Sequence, residues 1–337
     1  MPATHRAPPG SSGSEHGLTM GAQLSTTSEG LWLTAALSGI TRLPAALRVR
    51  PIGDVEAMLA SHPGLQVLEE AGVCQGRTLD ADVQEWLLTL GRCDIDVSIR
   101  VTRPDERAER LTGPPALFTP PADPLKDPLA AAAALREWRA HQSADRAAVL
   151  CRRDGKWVVA ARVWRSGDEP LDEVTISPLD SDTTVFQAVN DLLGDEPAAE
   201  FEGVNVETHR LESVLSSWQA DPQAYDVIGE LLKLGLTARQ ARVIVAVSDT
   251  GAVRAAIGAT QYSLDGPEFA TTGAMVVDSL MGRVVISSTT TDDQQSWTML
   301  FPGTTARVAR AVSDVLKQLP SGDSWEQHQR IQTFHAH

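Results

Sequence analysis

TMLFPGTTARVARAVSDVL, residues 298–316, repeats the pattern of TISPLDSDTTVFQAVNDLL, residues 175–193. Aligned without a gap, both stretches begin with Thr, and five later positions are identical: Val185 with Val308, Ala188 with Ala311, Val189 with Val312, Asp191 with Asp314 and Leu193 with Leu316. The shared apolar residues recur at helical spacing, so each stretch predicts a strand followed by an amphipathic helix. Two copies of one strand–helix unit indicate a duplication within the chain.

A β-hairpin is predicted before each copy of this unit. The first turns at Asp154-Gly155, a dipeptide typical of two-residue hairpin turns, and the second at Gly282-Arg283. Upstream of the first hairpin, IDVSIRVTR (residues 95–103) alternates apolar and polar residues, as expected of a strand with one buried face. The sequence therefore predicts an α+β fold. Two similar halves share one mixed or mainly antiparallel sheet with flanking helices, and a small helical bundle lies beside each half.

The predicted domain organisation is one large domain between two tails. Residues 1–23 are rich in Pro, Gly and Ser and predict a disordered tail, and residues 327–337 predict a flexible one. Residues 24–326 form the domain, whose halves meet near residue 200 (24–200 and 201–326). Residues 104–142, first Pro-rich and then Ala-rich, are interpreted as an insertion into the first half.

Composition excludes several classes of function. The formal net charge of −15 argues against nucleic acid or an anionic membrane as partner, because either requires clustered Lys and Arg. Three cysteines without a CxxC spacing are typical of reduced thiols rather than of disulfides or a zinc site. No stretch approaches the ~20 apolar residues of a membrane-spanning helix, and no secretory signal is evident. We expect a cytoplasmic protein.

Catalytic motifs are absent from the sequence. It contains no GxSxG, HExxH, GxxxxGK[ST] or GxGxxG signature. His209 lies between Glu207 and Glu212, but a solvated helix face explains this grouping better than a general base. We therefore expect no catalytic residue, no cofactor and no metal. The alternative is a small-molecule-binding or cryptic hydrolytic α/β enzyme, which requires Asp154, His209 or Asp278 to converge in a deep pocket.

Two segments have the character of a binding surface. The predicted helix 237–248 and its approach carry Leu234, Leu236, Val243 and Val247 beside Arg239 and Arg242. A predicted strand near Gln261 leads into a polar loop, residues 263–273. A sheet edge beside an apolar helix suits the tip of a helical partner. Core positions and an ordinary hairpin loop explain these residues equally well. Trp218 and Trp325, near element ends, are also candidates for an interface.

Several segments, in the same order over residues 24–326, are similar to the EspG family. They are GLW followed by ALRVRP, EAGV followed by VQEWLLTLGR, DGKWVVAARV, GLTARQARVIVAV, VVDSLMGRVVISSTT and WTMLFPGTTARVARAVSDVLKQLPSGDSW. EspG proteins are cytosolic specificity chaperones of mycobacterial type VII secretion systems. The N-terminal tail and the 104–142 insertion look longer than the family usually carries.

The resemblance implies a quasi-twofold fold with a central sheet and two helical bundles. It also implies a partner, the PE–PPE heterodimer, whose exposed PPE tip the chaperone binds. By resemblance the cargo meets the central sheet and the C-terminal bundle, which favours six residues as contacts: Leu236, Arg239, Val243, Gln261, Gly273 and Asp278. The edge strands of such a sheet also leave a weak homodimer possible.

Overall fold

The fold is built around one large β-sheet. The computed structural model describes residues 23–49, 62–104, 130, 133–134, 145–165, 171–291 and 293–330. The strands in these residues are β1 (Leu24–Thr26), β2 (Cys74–Gln75), β3 (Thr78–Leu79), β4 (Ile95–Thr102), β5 (Asp145–Arg153), β6 (Lys156–Arg165), β7 (Leu171–Pro178), β8 (Val204–Glu207), β9 (Val253–Ser263), β10 (Gly266–Phe269), β11 (Ala274–Ser279), β12 (Gly282–Thr290) and β13 (Ser296–Pro302). β2 and β3 form a separate small hairpin, and the other strands form the large sheet.

Helices lie on both faces of the sheet. In the described part of the chain the α-helices are α1 (Ser28–Leu37), α2 (Gly64–Glu70), α3 (Ala81–Gly91), α4 (Val185–Leu193), α5 (Thr208–Ala220), α6 (Val227–Lys233), α7 (Ala238–Ser248) and α8 (Thr305–Leu316). Short 3₁₀ helices span Ala45–Leu47 and Gly322–Gln327. The predicted α+β class is confirmed.

The strand order shows how two similar units join. It runs β1-β7-β6-β5-β4-β9-β11-β12-β13-β8, with β10 beside β9, and all these neighbours are antiparallel. Four consecutive strands, β4 to β7, lead into α4, and β9, β11, β12 and β13 lead into α8. The units meet where β4 pairs with β9 and Ile99 lies opposite Ile257. The quasi-twofold architecture predicted from the repeat is therefore present.

The two repeated helices lie side by side on one face of the sheet. Four of the aligned residues, Val185, Val189, Val308 and Val312, are fully or almost fully buried in a single hydrophobic cluster with Ile257. Both helices begin at a threonine, because the hydroxyl of Thr184 accepts from the amide of Gln187 and that of Thr304 from the amide of Arg307.

The opposite face carries two separate helical clusters, one toward each end of the sheet. Near the β1 end, residues of α1 and α3 such as Leu31 and Leu87 pack with residues of β5, β6 and β7. Near the β8 end, α5, α6 and α7 pack on β8, β11, β12 and β13, with Leu231 and Ile244 at the centre. These clusters are the two bundles that the sequence and the resemblance predict.

Two local predictions from the sequence are wrong. ALRVRP, residues 46–51, predicts a strand, but in its described part, residues 46–49, the chain completes the 3₁₀ helix Ala45–Leu47 and Arg48 has a left-handed φ of 49°. A loop is predicted over residues 263–273, but β10 occupies part of it and pairs with β9. In both cases tertiary contacts outweigh local composition.

The tails and the insertion lie mostly outside the described residues. This holds for residues 1–22, for residues 331–337 and for nearly all of 104–142. The last described residues contact the sheet, since Arg152 Nη1 donates to the carbonyl of His328 over 2.9 Å. The division of the chain into halves near residue 200 stays a prediction.

Candidate functional site

In the described part of the chain, the helices α4 and α8 cover the middle of the sheet on one face. On β9, Ala255, Ile257 and Ala259 are buried beneath α4 and α8. The residues between them point the other way, where Ala256 is exposed and Gly258 half-buried. Among the described residues, no α-helix covers this second face of β4 and β9 between the two bundles.

Cross-strand pairing defines the composition of this face. Arg100 of β4 and Met275 of β11 lie opposite Ala256 on either side, and both are exposed. Ser98 lies opposite Gly258. Phe269 of β10 pairs with Thr260 and is 69% exposed. We call this surface, formed by Ser98, Arg100, Ala256, Gly258, Phe269 and Met275, the open sheet face.

Two exposed apolar side chains lie on the open sheet face. Phe269 and Met275 are among the seven large apolar side chains that are exposed in the described part of the chain. Single exposed apolar residues are ordinary, but two on one uncovered sheet face are compatible with a surface that binds another molecule. The small residues Ala256 and Gly258 leave room for side chains of a partner.

A buried carboxyl lies at the N-terminal end of β4, on the same side of the sheet. Asp96 is buried, and Tyr262 Oη donates to its Oδ2 over 2.8 Å. Burial raises the pKa of Asp96 to about 6, against the lowering effect of hydrogen bonds from Tyr262 and Thr260. The folded protein thus holds this proton to higher pH than the unfolded chain, which releases it near pH 3.8.

Replacing Asp96 with asparagine is expected to stabilise the protein above pH 6. The stabilisation from the protonated carboxyl is complete below pH 3.8 and is lost as pH rises through about 6. The introduced carboxamide keeps an acceptor for Tyr262 and removes the buried charge. Urea unfolding should show a gain of about 2 kcal/mol at pH 8, and a flatter pH profile between 4 and 6. The exposed Asp265→Asn serves as control, and an unchanged profile in Asp96→Asn would contradict the assignment.

The six residues favoured as cargo contacts fall into two groups by burial. Leu236, Val243 and Gln261 are buried. Leu236 and Val243 form part of the C-terminal bundle core. Gln261 Oε1 accepts hydrogen bonds from the amide and hydroxyl of Ser321 over 3.1 and 2.5 Å, and so holds the chain that enters the last 3₁₀ helix.

The other three residues are accessible in different degrees. Arg239 is exposed and forms an ion pair with Glu200 at 2.9 Å. Gly273 is exposed directly before β11, and a Cβ there would lie 2.6 Å from the carbonyl oxygen of Ile257. Asp278 is part-buried and paired with Arg283. Of the six, Gly273 lies next to the open sheet face, since Ala274 pairs with Ile257 of β9.

Sequence reasoning missed most of the open sheet face. The alternation in residues 95–103 correctly indicates that Ser98 and Arg100 point away from the core, but such residues look like ordinary solvent-facing positions. Phe269 fell in a predicted loop. Trp325, a candidate for an interface, is instead buried in the core, edge-on to Trp157 and Phe186 with ring centroids 6.3 and 6.5 Å away.

The structure does not bring the alternative catalytic residues together. Asp154 lies in the β5–β6 turn, whereas His209, at the start of α5 beside the opposite end of the sheet, pairs with Glu207 at 2.9 Å. The carboxylate of Asp278 is held by Arg283. The described residues contain no group of three or more His, Cys, Asp or Glu arranged to hold a metal. No helix among them has the length and apolarity to span a bilayer.

Comparison with known families agrees with this architecture. The sequence matches the model of the EspG family over residues 27–114 and 127–314, well over half of the chain. The chain belongs to the EspG family. Among individual EspG proteins it is similar to the ESX-5 secretion-associated protein EspG5 of Mycobacterium marinum. The two are 25% identical over 315 residues, which cover 90% of this chain and 95% of that one.

Further EspG relatives extend the comparison. The ESX-2 secretion-associated protein EspG2 of Mycobacterium tuberculosis is 25% identical over 325 residues, covering 91% of this chain and 99% of its own. The fold is similar to that of the type VII secretion system chaperone EspG5 of Mycobacterium tuberculosis, solved in complex with a PE25–PPE41 dimer. The TM-score is 0.67 at 22% identity, over 91% of this chain and all of that one.

Proposed function

We propose that this EspG-family chain is a cytosolic specificity chaperone for a PE–PPE heterodimer, which it binds through the tip of the PPE subunit. The proposal rests on family membership, together with an open sheet face that carries exposed apolar residues between two bundles. The EspG5 of similar fold was solved with a PE–PPE dimer. Binding keeps the cargo soluble and directs it to its secretion system; no catalysis and no cofactor are required.

The open sheet face has the chemistry that this task needs. A long helical cargo with an apolar tip aggregates unless the tip is covered, and Phe269 and Met275 supply apolar surface to cover it. Arg100 supplies a charged hydrogen-bond donor beside them. A stable interface of this kind buries about 1,600 Å² in total, so the contact must extend from the sheet onto a neighbouring bundle.

The residues favoured from the resemblance are placed in this proposal as follows. Gly273 lies beside the open sheet face and gives the partner close approach to the β9 backbone. Asp278 lies on the opposite face of β11, where it pairs with Arg283, and Arg239 lies in the first turn of α7, paired with Glu200. Leu236 and Val243 position α7 from within the bundle core, and Gln261 fixes the end of β9.

Co-expression with PE–PPE pairs from the same genome tests the proposed function. We expect one pair, or a few from one secretion locus, to co-elute with this chain in a 1:1:1 complex by size-exclusion chromatography with light scattering. Pairs from other loci are the specificity controls. Failure of every pair to co-elute would overturn the proposal. The same measurement on the chain alone tests the weak homodimer, for which the described sheet offers the short edge strands β1 and β8 and the strand β10, which is paired on one side.

A further inference from the structure

Four arginines line one cavity of this acidic protein. The cavity, about 830 Å³, lies at the end of the sheet where β4 and β5 join the N-terminal bundle. The lining arginines are Arg42, Arg92, Arg153 and Arg330. They come from four separate segments: the chain after α1, the end of α3, the end of β5 and the last described residue. We call this site the arginine cavity.

Helix capping does not explain why four arginines line this cavity. Arg92 directly follows the C-terminal end of α3, where a cation is favourable. The other three arginines cap no helix at this site. Arg42 reaches the cavity because the chain two residues before it packs against the end of α3. A Cβ on Gly91 would lie 2.5 Å from the Ile40 side chain.

Two carboxylates face four arginines in the cavity, so the arginine charge is only partly neutralised. Asp154 pairs with Arg153, with an Nε–Oδ2 distance of 3.5 Å. The other lining carboxylate, Asp94, is buried, and its two oxygens accept from the backbone amides of Asp154 and Arg330 over 3.0 and 2.8 Å. Among the described residues, Arg42 and Arg92 have no ion-pair partner. Two guanidinium groups are therefore available to a ligand.

The walls of the cavity are held in place. Asp94 ties Arg330 to the β5–β6 turn, and His328 Nε2 lies 2.8 Å from the carbonyl oxygen of Tyr262. Arg330 also lies over the Tyr262 ring, 6.0 Å from its centroid. A fixed arrangement of donors reduces the entropy that a ligand must lose on binding.

We propose that the arginine cavity binds a small molecule that carries two or more phosphate groups. Planar guanidinium groups match phosphate oxygens bidentately, and several of them together favour a multiply charged group over a single one. The volume falls within the range of small-molecule sites and exceeds what one phosphate fills. Ile40 and the exposed Leu264 offer an apolar wall to the remainder of the ligand. The site lies outside the open sheet face and is independent of the proposed cargo binding.

Isothermal titration calorimetry of the full chain with inorganic pyrophosphate and with ATP, at low salt, tests the proposal. We expect saturable binding of both with a dissociation constant below about 1 mM. The double variant Arg42→Glu/Arg92→Glu should weaken both at least about tenfold, since each substitution removes a charge-assisted contact. Inorganic tripolyphosphate, which has as many phosphate groups as ATP, is titrated beside them. Tighter binding of ATP than of tripolyphosphate would show that the apolar wall contributes, and equal binding would assign recognition to the phosphates alone.

The matched control is Arg210→Glu/Arg242→Glu, which makes the same charge change at two exposed positions of the C-terminal bundle. It should bind within about twofold of the parent chain, because both positions lie on the C-terminal bundle, toward the β8 end of the sheet, and do not line the cavity. If Arg42→Glu/Arg92→Glu fails to fold, the neutral pair Arg42→Gln/Arg92→Gln replaces it. Backbone amide shifts of Gly39 and Gly91 on adding pyrophosphate give a readout without substitution. The absence of saturable binding, or equal weakening in the control, would overturn the proposal.

Discussion

Replacing Arg283 with alanine is expected to lower the free energy of unfolding by about 3–5 kcal/mol. This side chain is 4% exposed, and it joins the two halves of the molecule. Its Nε and Nη2 donate to both oxygens of Asp278 over 2.7 and 2.9 Å. Nη1 and Nη2 also donate to the carbonyls of Gly194 and Leu193, at the end of α4. Alanine would leave a part-buried carboxylate and two helix-terminal carbonyls without these donors.

The repeat supplies the matched control for this prediction. Lys156 occupies the corresponding place after the first hairpin turn, but it is 71% exposed and pairs with Glu85 at the surface. Lys156→Ala should leave stability nearly unchanged, because exposed ion pairs contribute little. Urea unfolding followed by circular dichroism measures both variants. A loss below about 1 kcal/mol in Arg283→Ala would show that the pair does not stabilise the junction.

A variant of Asp278, the partner of Arg283, distinguishes a role in stability from a role in cargo binding. If Asp278 mainly holds Arg283, then Asp278→Asn should lower stability and leave cargo affinity little changed. A loss of cargo affinity without loss of stability would instead assign it to the interface, as the resemblance implies.

Replacing Met275 with glutamate is expected to weaken the proposed complex with a PE–PPE dimer by about a thousandfold, or about 4 kcal/mol. Met275 is 37% exposed at the centre of the open sheet face, between Ala256 and Ile286 on the neighbouring strands. A carboxylate there would be buried against an apolar tip without a partner of its own, at a cost of several kcal/mol. The free chain should fold normally, because the position faces solvent before binding.

The control for this variant lies on the other face of the sheet. Ala306→Glu adds the same charge at an exposed position in the first turn of α8. It should leave affinity unchanged when both chains are titrated against the purified PE–PPE dimer by biolayer interferometry. Equal affinities for Met275→Glu and the parent would remove the open sheet face from the proposal, while leaving family membership untouched.

Local chemistry accounts for the parts of the fold that the sequence predicts correctly. The turn at Asp154-Gly155 has φ values of 50° and 81°, as a two-residue hairpin with a glycine requires. Gly194 ends α4 with a φ of 74°. Thr184 caps the start of α4 in a reciprocal pair with Gln187.

The candidate site could be predicted only in part. Resemblance directs attention to the central sheet and the C-terminal bundle, but it does not distinguish a core valine such as Val243 from a surface one. Burial follows from how α7 packs on the sheet, which depends on residues far away in sequence. Sequence patterns do not predict the open sheet face either, because it too depends on residues that are far apart in sequence. Exposed Ala256 and Met275 become a surface only when β9 lies between β4 and β11.

The sequence by itself determined the elements of this protein and their duplication, because alternation, helical spacing and turn glycines act between near neighbours. Tertiary structure decided how the two copies meet, with β4 against β9 and the two repeated helices together on one face. It also decided which face stays open and that four distant arginines converge. Those outcomes depend on long-range packing and on the balance of burial over the whole sheet, which no short stretch of sequence records.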